Sequence, residues 1–397
     1  MKQDFMFTSE SVTEGHPDKL CDQISDAVVD RFLQQDPQAR VVAECAVATG
    51  IVFIAARFDA RAAVDIPGAA RQVIQQVGYE QPAFNARTCS IMTSINELGA
   101  GRDGRVDERE MSEAEIERVP AHHQATVFGY ACNQSAALMP LPIWLAHQLA
   151  RQLAAVRRDK RLAYLGPDGK SQVGVEFRER KPHRIHSITL IASRNGAPLP
   201  PPARLRDDLL ELVIRPVFAH EPIRLDERTQ ICINPEEPFS SGGPAVHAGL
   251  TGRKNAIDTY GEYSRHSGAA LSGKDPTRID RIGAYVARYA AKNVVAAGLA
   301  EECEVLLSYS IGRARPVSVQ VDTFGTGRLP DEAIGARVQA AFDFRPAGII
   351  RQFNLRELPA LRQGGFYRKL AAYGQMGRMD LDLPWEATDR ASMLEAG

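Results

Sequence analysis

"HPDKLCDQISDAVVDRFLQQDPQARVVAECAVATGIVFIAARF", residues 16–58, contains the unit from which the fold is built. Leu20, Ile24, Val28 and Phe32 recur every four residues, along one face of an α-helix, and Pro17 suits its first position, where an N–H has no intrahelical partner. Asp36-Pro37 ends that helix. Arg40 to Phe58 is rich in Val, Ile and Phe and breaks at Thr49-Gly50, which predicts a β-hairpin. A second helix is expected in "PGAARQVIQQVGY" (67–79).

The same order recurs further along. "MPLPIWLAHQLARQLAAVRRD" (139–159) predicts a helix, "HRIHSITLIASRN" (183–195) a strand and "RDDLLELVIRPVF" (206–218) another helix. A third round opens with "DPTRIDRIGAYVARYAAKNVVAAGLA" (275–300), read with Asp275 as N-cap, Pro276 in the first turn and Gly298 near the end. "CEVLLSYSIG" and "SVQVDTFG" then make a hairpin across "RARP". Three rounds without a fixed sequence period predict three related α+β modules, each a sheet covered by helices. Residues 94–124 break the pattern with glycines and charges, and are expected to form a mobile lid or binding loop.

With 397 residues, a net charge of −1 and 44% hydrophobic residues, the chain has ample core and no global attraction for nucleic acid or anionic membrane. Its basic residues are dispersed among acids. Six cysteines form no CxxC pair, and no run of about 18 apolar residues or secretory leader is present, so buried thiols and a cytoplasmic location are expected.

Chemistry concentrates in a few clusters. In "EGHPDK", His16, Asp18 and Lys19 stand at a helix start, where free N–H groups favour anions; Asp18 suits either Mg2+ or a helix cap. "GGPAVHAGLTGRK" (242–254) runs from a glycine turn through His247 to Arg253 and Lys254, two cations suited to a phosphate chain. "SGAALSGKDPTRIDR" adds Lys274, Arg278 and Asp280, and "DGKSQV" adds Lys170, without a Walker A motif. Phe239 is either a core residue or a platform for a nucleobase. Glu44, amid apolar strand residues, binds a cation or forms an ion pair.

Through these residues and the motifs around them, the chain resembles the S-adenosylmethionine synthetase (methionine adenosyltransferase) family. "FTSESVTEGHPDKLCDQISDAVVD" is close to its opening signature, and "GLTGRKNAIDTYGEYSRHSGAALSGKDPTRIDRIGAYVARYAAKNVVAAGLA" to its C-terminal one; "FGYA", "LMPLPI", "KSQV", "INP" and "AAYGQMGR…PWE" follow in order. The resemblance implies an α+β fold of three βαβ-type modules about a pseudo-threefold axis, here 3–102, 119–239 and 240–380. It also implies active sites between two subunits of a homodimer or dimer of dimers. In the family a thioether sulfur attacks C5′ of ATP and expels tripolyphosphate, which is then split to phosphate and pyrophosphate, with Mg2+ and K+ assisting. By motif match His16 acts on the leaving phosphate, and Lys170, Arg253, Lys254 and Lys274 hold the polyphosphate. Lys19, Asp258 and Phe239 belong to the nucleotide site, with Phe239 on adenine. Asp18 and Asp280 take Mg2+, and Glu44 sits on K+.

The departures are concentrated at one subsite. The family's GGPMGDCG turn has an aspartate where this chain has His247, its GAGDQG motif has an aspartate aligned with His123, its GGE stretch has an acid where Arg57 stands, and Arg278 replaces a lysine. In the family these acids help to hold methionine's ammonium and the lysine faces its carboxylate. An arginine about 5 Å from an ammonium repels it by roughly 3 kcal/mol at an effective dielectric near 20. An acceptor lacking the α-amino group, such as 4-methylthio-2-oxobutanoate, is therefore expected. The alternatives are an ordinary methionine enzyme compensated by Asp103 or Glu108, and a non-catalytic ATP-binding paralogue.

Overall fold

Helix α1 (Pro17–Gln35) lies against the hairpin β2 (Arg40–Ala48) and β3 (Ile51–Asp59), as the opening stretch predicts. This is a computed structural model, which describes residues 3–98, 107–235 and 241–396. His16 caps α1, its Nδ1 accepting from the Asp18 N–H at 3.2 Å, so Asp18 is not the cap. The turn between the strands is made at Thr49, with φ +50°. Helix α2 (Ile66–Val77) starts at an Asp65 cap and ends at Gly78 in the left-handed region.

Helix α3 (Leu141–Arg158) covers a second hairpin, and α4 (Ile279–Ala296) a third. The strands are β1 (Phe5–Val12), β4 (Glu80–Gln81), β5 (Phe84–Asn85), β6 (Ser90–Glu97), β7 (Ala125–Cys132), β8 (Leu165–Arg178), β9 (Lys181–Arg194), β10 (Gln230–Ile233), β11 (Gly249–Leu250), β12 (Glu302–Tyr309) and β13 (Ser318–Asp322), besides β2 and β3. They form sheets in the orders β1-β8-β9-β10, β11-β2-β3-β6 and β13-β12-β7, with β4 and β5 as a small ribbon. Each of the three larger sheets thus has an antiparallel hairpin whose first strand takes a further antiparallel neighbour from a distant part of the chain: β1 beside β8, β11 beside β2, β7 beside β12. In two sheets a parallel strand closes the other side, β10 on β9 and β6 on β3. The architecture is α+β with the threefold repetition expected, and the repeat lies in sheet plan rather than in spelling.

Among the described residues two large cores fill the space, beside a small cluster of Ala150, Ala154, Ala372 and Tyr373. One joins α1, α2 and α4 to the second and third sheets; the other packs α3 and the 205–218 helical segment on β8 and β9. Helix α4 is buried on nearly every side, and Arg281 and Arg288 within it are fully buried, paired with Asp26 and Glu386. Trp385 stacks on Tyr285 at 3.8 Å between centroids, and Glu386 also takes Lys292. The "PWE" signature is therefore a clamp on α4.

Asp275 does not cap α4, which begins at Ile279 with Arg278 in the cap position. Its carboxylate instead accepts the N–H groups of Val41 and Thr277, because it lies at the end of β2. Residues 94–98 and 107–124 are not one irregular loop. Ser94–Glu97 continue β6, and Glu113–Ile116 form a short helix behind a Ser112–Glu115 capping box; Arg345 and Arg351 hold Glu113 to the body. Glu108 is buried on Arg356, with both guanidinium contacts at 2.7 Å. No helix among the described residues is long and apolar enough to cross a membrane.

"FGYA" has its own packing reason. A Cβ on Gly129 would lie 1.9 Å from the backbone carbon of Ala287, so β7 and α4 approach closer than any side chain allows. Gly129→Ala is expected to cost about 1–3 kcal/mol, the range for overpacking, in a urea unfolding curve. An unchanged midpoint would show that the helix shifts without cost.

Candidate functional site

At the start of α1 three side chains from distant segments converge. His16 is buried at the cap, Asp168 comes from β8 and His247 from the glycine turn before β11. His247 Nε2 lies 3.1 Å from Asp168 Oδ2, and the His16 and His247 rings are 5.2 Å apart between centroids. Asp168 also accepts the Gly243 N–H at 2.8 Å through Oδ2, while its Oδ1 is buried with no hydrogen-bond partner. Burial lowers the His16 pKa to about 4, outweighing the carboxylates of Asp168 and Asp18, so the ring is neutral near pH 7.

The glycines of "GGP" serve this packing. Gly243 has φ +87°, and a Cβ there would sit 2.5 Å from the Tyr79 hydroxyl; one on Gly242 would meet the Asp168 side chain. The anion that the turn's N–H binds in the chain is the protein's own carboxylate.

Around this trio stand the expected cations. Asp18 accepts the Leu250 N–H through Oδ1, and Arg253, its side chain 54% exposed, lies 3.7 Å from that oxygen. Lys254 donates to Glu10 at 3.0 Å, and Lys170 is half-buried on β8, opposite Val12. Arg253 is thus the most available to an outside anion.

A second cluster lies elsewhere on the same chain. Lys274 Nζ donates to Asp280 Oδ2 at 2.7 Å, and His123 Nε2 contacts the same oxygen at 3.2 Å. Burial pushes the Asp280 pKa upward, but hydrogen bonds from His123 and Lys274 prevail and hold it below the usual carboxylate value. Arg278 is half-buried two residues before Asp280. Arg57 lies on the outward face of β3, exposed, and opposite it on β2 is Val42, which bridges to Lys274.

Some expectations change. Glu44 is exposed on that outward face by strand alternation, so it incurs no burial cost. Lys19 is fully buried between Asp22 and Asp258, which are also fully buried, so in this conformation the lysine is committed to those two carboxylates. Phe239 and Asp103 lie outside the described residues. Among the described residues, no hydrogen bond or ion pair joins His247 to His123 or Arg57. Asp168 was missed at the sequence level. Its one signal was an acid two residues before Lys170; its meaning depends on contacts with residues 79 and 152 positions away.

Asp18 and Asp280 are oxygen donors of the kind Mg2+ requires, each already among cations that suit a polyphosphate.

Family models describing S-adenosylmethionine synthetase match the chain in three consecutive parts: the N-terminal domain over residues 4–100, the central domain over 118–239 and the C-terminal domain over 241–387. Among similar relatives, the S-adenosylmethionine synthase of Synechococcus sp. (strain JA-3-3Ab) is 50% identical over 401 residues, covering 98% of this chain and 97% of that protein. That of Trichormus variabilis is 49% identical over 409 residues, covering 100% and 97%. That of Thermosynechococcus vestitus is 49% identical over 406 residues, covering 99% and 97%.

Proposed function

The chain belongs to the S-adenosylmethionine synthetase family, and on that premise we propose that it transfers the adenosyl group of ATP to the sulfur of a methionine analogue lacking the α-amino group, of the 4-methylthio-2-oxobutanoate kind. It is an ATP-dependent adenosyltransferase; what sets it apart is the acceptor. The observation that carries this reading is Arg57, an exposed cation on the outward face of β3 where the family has an acid. Of the two carboxylates that were candidates to compensate, Glu108 is committed to Arg356. Guanidinium and imidazole donate hydrogen bonds to an oxo or carboxylate oxygen and repel an ammonium.

Two protomers complete the site in this proposal. The His16 cluster of one and the Lys274 cluster of the other face a common cleft, which accounts for two half-sites in one chain without a shared contact. The same face of the second sheet that carries Glu44 and Arg57 exposes Ile51, Phe53, Met92 and Leu250, an apolar band suited to a second copy.

In the displacement at C5′, positive charge develops on sulfur and negative charge gathers on the leaving chain, so fixed cations do most of the work. Lys170, Arg253, Lys254 and Lys274 hold the polyphosphate, neutral His16 donates a hydrogen bond to the departing oxygen, and Phe239 stacks on adenine. Asp18 and Asp280 would hold Mg2+, which supplies further positive charge to the phosphate oxygens. Glu44 would take K+.

The test is mass spectrometry of the purified protein with ATP, Mg2+ and K+, offered methionine or the oxo acid. An adenosyl sulfonium from the oxo acid, at least tenfold faster than from methionine, is expected. The relatives' shared name favours methionine itself as a second reading; ordinary use of methionine with rejection of the oxo acid would establish it and overturn ours.

A further inference from the structure

We infer that His16, Asp168 and His247 form a binding site for an imidazole-preferring divalent ion of the Zn2+ or Co2+ class, distinct from the oxygen ligands offered to Mg2+. These are the only group of three His, Cys, Asp or Glu residues among the described ones whose donor atoms could hold a metal ion, all lying within 4.8 Å of one another. Two are buried, and the third is half-buried. The 3.1 Å between His247 Nε2 and Asp168 Oδ2 is close to the roughly 3.3 Å that separates neighbouring ligands on a tetrahedral ion with bonds of about 2.0–2.1 Å.

A second observation points to a missing positive partner. Asp168 Oδ1 is buried without any hydrogen bond, an arrangement that leaves a lone pair uncompensated at high cost. A cation shared by both oxygens of Asp168 removes that cost, with Oδ2 the one beside His247; an ion on Oδ2 alone does not. The ligand set then decides which cation. Two imidazoles and one carboxylate suit Zn2+, Co2+ or Fe2+, whereas Mg2+ keeps oxygen ligands in near-octahedral geometry.

One local adjustment is required. The Asp18 N–H donates to His16 Nδ1 at 3.2 Å, so an ion on Nε2 needs the ring proton to sit on Nδ1, which gives up that long bond. Binding on Nδ1 displaces the same bond directly, and is the mode compatible with a phosphate contact, because it leaves the His16 Nε2–H free to donate. Either way a first-turn N–H is freed, and such groups are met by water or an anion. Three protein ligands leave at least one coordination position for an outside oxygen. His247 is what makes the site: the family's aspartate at this position leaves only one imidazole.

The site lies within one protomer and does not depend on which thioether is the acceptor. Full-length protein stripped with a chelator is titrated with Co2+, without ATP or thioether and in excess Mg2+, and followed by visible d–d absorption and by metal analysis after dialysis. One Co2+ per chain, displaced by Zn2+ and not by Mg2+, is expected. His247→Asn, at a partly exposed position, is expected to lose about a hundredfold or more in affinity, at least the cost of losing an outer-shell partner. His247→Asp keeps an anionic ligand, and is expected to move the preference from Zn2+ toward Mn2+. Circular dichroism confirms that each variant is folded. Absence of Co2+ bands, or equal affinity in folded His247→Asn, overturns the proposal and leaves the adenosyltransferase reading intact. Loss of binding in His123→Asn but not His247→Asn also overturns it, moving the ion to Asp280.

Discussion

Arg57→Glu is expected to raise kcat/KM for methionine by about a hundredfold and to lower that for 4-methylthio-2-oxobutanoate. Arg57 is exposed on a strand face and bears no packing duty, so the substitution changes charge with little change in stability. At about 5 Å and an effective dielectric near 20, removing one repulsion is worth roughly 3 kcal/mol, which is about a hundredfold, before any attraction from the new carboxylate. His123→Asp is not an equivalent change. It would set a second carboxylate against Asp280, leaving Lys274 to neutralise both, so its effect falls on Asp280 as well as on the acceptor. Steady-state kinetics on both acceptors decide the matter. If Arg57→Glu leaves the ratio of the two efficiencies unchanged, Arg57 does not face the acceptor's α-carbon and the specificity argument falls.

Lys19→Met is expected to destabilise the protein by about 3–5 kcal/mol, because it strands Asp22 and Asp258, both fully buried, without their shared cation. Burial raises the Asp258 pKa to about 7 even with Lys19 opposing it. A carboxyl whose folded pKa is raised stabilises the protonated folded state below its unfolded pKa, and that contribution is lost as pH rises through the folded value. Without Lys19 that pKa moves higher still, so parent and variant lose stability in parallel up to about pH 7 and the deficit of the variant deepens above it, where the parent's carboxyl has ionised and the stranded one resists ionising. Guanidinium unfolding at several pH values reads this directly. Should the variant unfold like the parent and lose only ATP affinity, Lys19 is a phosphate ligand after all, and its burial must be relieved on binding.

Local features were legible wherever a residue's environment is set by near neighbours. The four-residue spacing of α1, the hairpin at Thr49 and the left-handed stop at Gly298 follow from periodicity and backbone preference, and they stand where expected. Asp275 failed as a cap because a residue more than two hundred positions away, Val41, offered it an N–H. Lys19 shows the same dependence on distant residues: "HPDK" reads as an open helix start, but Asp258, 239 positions along the chain, buries it. The apolar residues on either side of Glu44 suggest burial, although alternation in a strand turns it away from them. The site trio was half legible, since His16 and His247 stood out by type while Asp168 took its meaning only from where the glycine turn folds.

The exchanged edge strands govern how the chain can be made. β1 leaves the ribosome about 150 residues ahead of its neighbour β8, and β2 waits for β11 still longer. At roughly 5–20 residues per second, β1 remains an unpaired edge for about 8–30 s of synthesis. The first and second sheets are therefore completed only after the central and C-terminal parts of the chain are made.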